Sequence, residues 1–396
     1  MSFDRDIVII GGCGRVGLPL GIALADRGHT VTLYDINEKA VNVVNSGVLP
    51  FDEEGAAGPL RETVGNGLLR ATTDPASVGD AEHVIVIVGT PVDEHLNPRL
   101  EAVPAAIERC ERYLRDGQLL ILRSTVHPGV TALTEKLISR LGRDIDIAFC
   151  PERIAEGRAM TELYELPQVV SARTPRALAR AEKLFRALTD QIVPLLPEEA
   201  ELAKLYTNVW RYIKFATANQ FFMIANDAGL DYERIRHAIT LDYPRAADMP
   251  GAGFAAGPCL FKDTMQLAAF NNNNFVLGHS AMLINEGLPL YVVSRLELVH
   301  DLSNLTVGIL GMAFKGGSDD TRESLAYKLR KILMMKAKVV LCTDPYVRDE
   351  RLSPLPEVLE SADLLVVAAP HQQYRDLQTD KPIVDIWGLT GHGVRV

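Results

Sequence analysis

Residues 6–12, "DIVIIGG", form a short apolar run that ends in glycines, and a helical pattern follows from Val16 to Arg27. Gly28 is a stop signal, and "TVTLYD" reads as a second strand. A helix rich in valine and asparagine then leads into a polar, glycine-rich connection over residues 46–70. "EHVIVIVGTP" is the third expected strand, ending at Thr90-Pro91; "QLLILRSTV" and "DIDIAFCPER" supply further ones. Fully apolar strands alternating with helices predict a parallel sheet covered on both faces. Near residue 197 the period changes. A long helical segment runs from Pro197 to about Gly229, Asp231 restarts a helix, and "TMQLAAF" is helical again. "NNNN" (271–274) reads as a loop, and another helix covers Ser280 to about His300. Strand and helix alternate once more in "LTVGILG" (305–311), "AKVVLCTDP" (337–345) and "SADLLVVAAP" (361–370). These echo the first three strands in order, by pattern and not by identity. The chain therefore reads as two related α/β domains flanking a helical middle, with boundaries at 1–196, 197–300 and 301–396. Each α/β domain is expected to carry a ligand crevice at its strand ends.

The 396 residues are enough for two or three domains with cores of their own. Composition is ordinary for a globular chain, with 47% hydrophobic and 23% charged residues. A net charge of −10 without a long basic run argues against general nucleic-acid binding, while leaving room for a local phosphate pocket. The cysteines at 13, 110, 150, 259 and 342 are scattered, odd in number and lack metal-ligand spacing. They read as reduced thiols, with no metal site, in a cytoplasmic protein. "MSFDRDIVIIGG" lacks the pattern of a signal peptide, and no apolar run reaches the ~18 residues of a membrane span.

Gly12, Gly14 and Gly17 fit G-x-G-x-x-G between an expected strand and an expected helix. In such a loop the first glycine permits the tight turn, the second lets backbone approach a pyrophosphate, and the third lets helix pack on strand. Asp35 ends the second strand roughly 20 residues on, where a carboxylate can bind a ribose 2′-hydroxyl and would repel a 2′-phosphate. NAD is the cofactor expected, held by Gly12, Gly14, Arg15, Val16, Gly17 and Asp35. Arg15 reads equally as a phosphate contact or a solvated charge.

"GAGFAAGPCLFKD" (251–263) places a cysteine between a glycine-rich turn and a Lys-Asp pair. Alone, Cys259 reads as a small core residue. Gly251, Gly253 and Gly257, however, give a backbone able to close on a ligand, Pro258 stiffens it, and Lys262 favours a thiolate. Lys204 and Asn208, four apart on the long helix, share a face that is either a solvated stripe or part of the same site.

This loop resembles the active-site loop of the UDP-glucose/GDP-mannose dehydrogenase family. "GCGRVGLPL", "VGTP", "RSTVHPG", "PERIAEG", "EAELAKLYTN" and "GMAFKGGSDDTRES" agree with family signatures, in shared order along nearly the whole chain. The resemblance implies an α/β architecture of two Rossmann-like, doubly wound parallel-sheet domains joined by a central long-helix domain that also forms a homodimer. It implies oxidation of a nucleotide-sugar C6 alcohol to a carboxylate by two NAD in one site, with Cys259 as nucleophile. Lys204 and Asn208 would stabilise the oxyanion, Asp263 would order or activate water, and Glu152 and Thr125 would serve acid/base transfer through a water. Thr90, Thr125, Glu156, Lys262 and Arg322 would contact cofactor. Glu152, Arg153, Lys204, Asn208, Arg245, Gly251, Gly253, Phe254, Gly257 and Lys315 would hold the substrate. Arg322 also reads as a structural salt bridge within "DDTRES".

Several positions depart from the family pattern. Arg15 and Arg153 stand where aromatic or apolar residues are common, the interval from Arg245 to Cys259 is shortened, and "IWG" (386–388) replaces an arginine. The Lys-Asp of the loop is that of the glucose branch, so UDP-glucose is the expected substrate. TDP-glucose and UDP-N-acetylhexosamines are the alternatives for the same reaction. A two-electron β-hydroxyacid dehydrogenase would share the Rossmann domain and the Lys…Asn helix, yet would need neither Cys259 nor a further α/β domain. A nucleotide sensor without turnover would not need the cysteine, the lysine and both acids.

Overall fold

β1 (Arg5–Ile10) lies inside an eight-stranded sheet, and its Ile7, Val8 and Ile9 are wholly buried because both faces are covered. In this computed structural model residues 3–391 and 396 are described. The other strands are β2 (Val31–Tyr34), β3 (Leu69–Thr72), β4 (Ala81–Val86), β5 (Leu119–Leu122), β6 (Asp146–Phe149), β7 (Gln168–Ala172) and β8 (Ile192–Leu195). Their order is β3-β2-β1-β4-β5-β6-β7-β8. The chain builds outward from β1 to β3 and then crosses back to β4, so the switch point lies between β1 and β4. All neighbours pair in parallel except β6 and β7.

Two sequence expectations change here. The connection at 46–70 contains a helix, Ala57–Gly65, and leads directly into β3. In β3, Leu69 and Ala71 point inward while Arg70 is exposed, the alternation of a half-covered edge strand. A search for fully apolar runs passes over such a strand. "EHVIVIVGTP" is consequently the fourth strand. β7 and β8 extend the sheet further, and Pro194 is tolerated in β8 because that strand is an edge.

The described chain divides into two compact units, Met1–Tyr206 and Thr207–Val396. The second unit holds β9 (Thr306–Leu310), β10 (Val339–Thr343), β11 (Leu364–Val367) and β12 (Ile383–Asp385), all parallel, in the order β10-β9-β11-β12. Its switch point falls between β9 and β11. Phe222, Leu288 and Val292 from the helical segment bury against Val307, Ile309 and Leu329, so helices and sheet share one core. The 31-residue helix Pro197–Asp227 begins in the first unit, where Glu201 accepts hydrogen bonds from Gly129 N (2.7 Å) and Thr131 N (2.8 Å). That carboxylate satisfies the open N–H groups at the start of helix Val130–Arg140. Among the described residues no helix is long and apolar enough to cross a membrane.

Helix Gly17–Asp26 approaches β1 so closely that a Cβ on Gly17 would lie 2.6 Å from Gly11 O and 2.9 Å from Gly12 Cα. Gly17→Ala should therefore destabilise the first unit by about 1–3 kcal/mol. Thermal melting with and without NAD measures it, and an unchanged melting temperature with unchanged NAD affinity would contradict this packing.

Candidate active site

The loop after β1 is set by backbone constraints at each of its glycines. Gly11 has φ +78°, so the left-handed turn falls one residue before the first glycine of the motif. Gly12 answers a different constraint, since its Cβ would sit 2.7 Å from the Leu33 side chain. Gly14 meets nothing nearer than Gly11 O at 3.6 Å, which leaves an open face at the helix start. Val16 occupies the N-cap position of that helix. Asp35, just beyond β2, accepts from Cys13 N (3.0 Å) and Asn37 N (3.0 Å), tying the end of β2 to the glycine loop. An open backbone face, a helix N-terminus and a carboxylate on the neighbouring strand fit the pyrophosphate and ribose of a dinucleotide.

Around this crevice the structure brings several expected residues together. Arg15 pairs with Glu156 at 2.9 Å and lies over the Phe51 ring, 4.9 Å from its centroid. Glu53 accepts from Gly157 N and Ala159 N, fixing the segment that carries Glu156. Thr90, after β4, donates to Thr125 O at 2.6 Å beyond β5, and Ser124 bridges to Val88 N and O. The carboxyl ends of adjacent strands are thus joined by hydroxyls.

Glu152 is buried and its carboxylate is fully engaged. Oε2 accepts from both Nε (3.0 Å) and Nη2 of Arg123, while Oε1 accepts from Arg153 N (2.7 Å) and Ile154 N (3.0 Å). Arg123 itself has no side-chain exposure; it also donates to Cys150 O and Gln168 Oε1 and stacks on Phe185. Sequence reading missed Arg123, whose one signal is a charge directly after the apolar "LLIL". Arg153 turns to the Pro167 carbonyl.

In the second unit Cys259 is exposed at the N-cap of helix Leu260–Phe270, with Lys262 and Asp263 in the first turn. Asp263 has no side-chain exposure, and its two oxygens take different partners. Lys262 Nζ donates to Oδ1 at 2.6 Å and Asn208 Nδ2 donates to Oδ2 at 2.6 Å. Lys204, also buried, lies one helical turn before Asn208 on the same face of the long helix. Asn208, Asp263 and Lys262 are thus joined by hydrogen bonds in the turn that follows Cys259, and Lys204 is buried rather than part of a solvated stripe.

The glycine-rich loop is held from two sides. Asn219 donates to Gly253 O (3.0 Å) and accepts from Gly253 N (2.9 Å), and Asn285 accepts from Asn219 in turn. Both asparagines are wholly buried; in the sequence they are two polar residues inside helices, without a spacing that links them. Gly253 (φ +152°) faces Trp387, whose ring would lie 2.3 Å from a Cβ there. The aromatic residue of "IWG" thus packs on the loop. Gly257 (φ +103°) faces Phe314 in the same way, at 2.6 Å, and Gly251 opens to space. Phe254 is in the core, so its backbone and not its ring belongs to the loop surface. Lys315 follows Phe314 and lies 5.7 Å from that ring's centroid. Arg322 pairs with Asp320, the salt bridge within "DDTRES". Arg245 is exposed and stacks on Tyr243.

Two α/β crevices, one shaped for a dinucleotide and one near an exposed cysteine at a helix N-terminus, fit the class of NAD-dependent oxidoreductases. Family models agree along the chain: the NAD binding domain of the UDP-glucose/GDP-mannose dehydrogenase family matches residues 5–189, its central domain 198–286 and its UDP binding domain 308–392. The chain belongs to this family. It is 33% identical over 379 residues to a UDP-N-acetyl-D-mannosamine dehydrogenase of Pyrococcus horikoshii, covering 92% of this chain and 90% of that protein. The solved structure of a UDP-D-ManNAc dehydrogenase from Pyrococcus horikoshii matches with TM-score 0.90 at 30% identity, over 97% and 96% of the two chains. A UDP-glucose dehydrogenase from Pyrobaculum islandicum matches with TM-score 0.90 at 27% identity, over 97% and 94%.

Burial pushes the thiols of Cys13 and Cys150 up to about 12 and that of Cys342 to about 11, and raises that of Cys110. Iodoacetamide at pH 8 should therefore modify Cys259 alone in the folded protein, with loss of activity. Peptide mass spectrometry reads the site, and comparable labelling at any of the other four would contradict the assignment.

Proposed function

We propose that the protein is a UDP-N-acetyl-D-mannosamine 6-dehydrogenase, oxidising the C6 alcohol to a carboxylate through covalent intermediates on Cys259. The single observation that carries the chemistry is the exposed Cys259 at a helix N-terminus, flanked by the Asn208–Asp263–Lys262 arrangement. The acetamido sugar is supported by the names of relatives similar over nearly the full length, and takes precedence over the UDP-glucose expected from the loop. UDP-glucose stays as the second reading because the Pyrobaculum islandicum structure matches equally well in fold.

Bound NAD supplies the hydride acceptor, one molecule for each two-electron step. Lys204 and Asn208 place a cation and an amide donor beside the C6 oxygen, stabilising the alkoxide as the first hydride leaves. The resulting aldehyde cannot lose a second hydride until a nucleophile adds. The Cys259 thiolate forms a C–S bond to it, giving a thiohemiacetal, and loss of the second hydride gives a thioester. Water then cleaves the C–S bond, releasing the carboxylate and restoring the thiol. One alcohol and one water yield one carboxylate, two hydrides and three protons. Asp263 orders Asn208 and Lys262, and through them the water site. Glu152, held by Arg123 and two backbone donors, shapes its loop; Thr125 stays the candidate for contact with a proton-relaying water. Arg15, Glu156, Thr90, Lys262 and Arg322 are proposed on the cofactor side. Lys315 and the backbone of 251–257 are proposed on the nucleotide-sugar side.

Two NADH per sugar are expected with UDP-N-acetylmannosamine, and a lower kcat/KM with UDP-glucose. Cys259→Ser should abolish steady turnover while NAD still binds. One NADH per turnover with an aldehyde or ketone product, or full activity of the serine variant, would sink the four-electron mechanism.

A homodimer through the long helix is part of the same proposal. Tyr206, Trp210, Phe221 and Ile224 are 45–59% exposed. At about 100° per residue they fall within a stripe about 60° wide. An uncovered apolar stripe of this kind along a long helix fits a second copy of the chain. Light scattering should give a dimer for the wild type and a monomer for Trp210→Glu. A monomeric wild type, or a variant that stays dimeric, would remove the helix from the interface.

A further inference from the structure

His371, in the segment that follows β11 after Pro370, has no solvent exposure and is not part of the chemistry above. Its Nε2 lies 3.0 Å from Asp344 Oδ2, and Gly317 N donates to its Nδ1 at 3.1 Å. Since Nδ1 accepts, the ring proton sits on Nε2 and points at Asp344. Asp344, just past β10, is equally buried and accepts from Met312 N (2.6 Å) and Ala313 N (3.0 Å). The two residues therefore grip the loop that leaves β9 at both ends, Asp344 at 312–313 and His371 at 317. A Cβ on Gly316 would lie 2.4 Å from Pro370 O, so the loop rests directly on the segment that carries the histidine. Tyr346 and Tyr374 flank the imidazole, with ring centroids 5.1 and 5.7 Å away.

Between the two grips stand Phe314 and Lys315. The Phe314 ring packs against Gly257, two residues before Cys259, and Gly257 N donates to Glu323 O at 3.4 Å. The loop lies at the switch point of the second sheet, where ligands of open α/β sheets bind. We propose that His371 is a positioning residue for the nucleotide-sugar: with Asp344 it fixes the 312–317 loop so that Phe314 braces the cysteine loop and Lys315 faces the diphosphate. This rests on the reading above that the second crevice holds a nucleotide-sugar. A hydrogen bond from Gly317 N–H to an uncharged acceptor, and not bulk alone, is what the position requires.

Titration calorimetry with UDP alone separates the two claims. UDP binding by the wild type tests the nucleotide-sugar reading; its absence would reject that reading and this inference together. His371→Ala is expected to weaken UDP about 3- to 10-fold, the worth of one lost hydrogen bond or slightly more. The KM for nucleotide-sugar should rise by the same factor while the KM for NAD stays within about twofold. His371→Asn presents a carbonyl oxygen near the Nδ1 position and should restore most of the affinity. His371→Gln reaches towards Asp344 without serving Gly317 and should resemble alanine. Phe314→Leu, which leaves the histidine untouched, should weaken UDP comparably and reports on the loop even where a histidine variant does not fold. UDP affinity unchanged in a folded His371→Ala or in Phe314→Leu, or an equal loss of NAD affinity, would overturn the proposal.

Discussion

Asp263 is the residue on which the cysteine site depends. A carboxylate without solvent contact costs several kcal/mol unless charge and hydrogen bonds replace its hydration. Here Lys262 and Asn208 do so, one oxygen each. The compensation works in both directions, since each donor is pinned by the acid it satisfies. Asn208 belongs to the long helix and Lys262 to the first turn of the helix capped by Cys259. One buried charge thereby fixes the face of the long helix against the turn that presents the thiol. Truncating either donor would leave the acid buried and under-satisfied, a larger penalty than the hydrogen bond alone.

The same physical device closes both crevices. Backbone N–H groups of a loop leaving a strand have no ladder partner, and burial makes that costly. After β1 the deficit is met by Asp35 at the end of β2, bonded to Cys13 N. After β9 it is met by Asp344 at the end of β10, bonded to Met312 N and Ala313 N. The echo between the two ends of the sequence thus has a structural content beyond alternating strands: "TLYD" and "LCTD" each end in the acid that anchors the neighbouring loop. Past these anchors the two loops diverge. The first opens at Gly14, whereas the second is gripped again by His371 and carries an aromatic and a lysine.

What the sequence made legible is what depends on neighbours along the chain. Strand cores such as "DIVII", the long helix, and the helix start at Asp231 are local, and the structure has them where their patterns lie. Partnerships made only by folding were not legible. Nothing near Asn219 indicates that it clamps Gly253, or that Arg123 would be stacked on Phe185 and bonded to Glu152. The motif's first glycine was assigned a turn that Gly11 makes, because "GGCG" offers two glycines and only the position of Leu33 tells them apart. β3 escaped for a related reason: its exposed Arg70 hides a strand whose pairing with β2 supplies most of its order.

The glucose expectation, which the relatives support less well than its acetamido alternative, shows how a local signature can also carry a structural role. It rested on Lys262-Asp263 in the cysteine loop. In the folded protein those two side chains bond to each other, and the acid is sealed from solvent and bonded to Asn208. A carboxylate so enclosed answers to the long helix that carries Asn208. The Lys-Asp pair therefore has a structural part in the turn that follows Cys259. Under the proposed function, discrimination between a hydroxyl and an acetamido group would fall to surfaces that stay accessible, such as Gly251 with its open Cβ direction. An acetamido group is bulkier than a hydroxyl and carries both a donor and an acceptor, so a site that accepts it needs space as well as a polar partner. Of the loop glycines, Gly251 offers that space, whereas the N–H and C=O of Gly253 are already taken by Asn219.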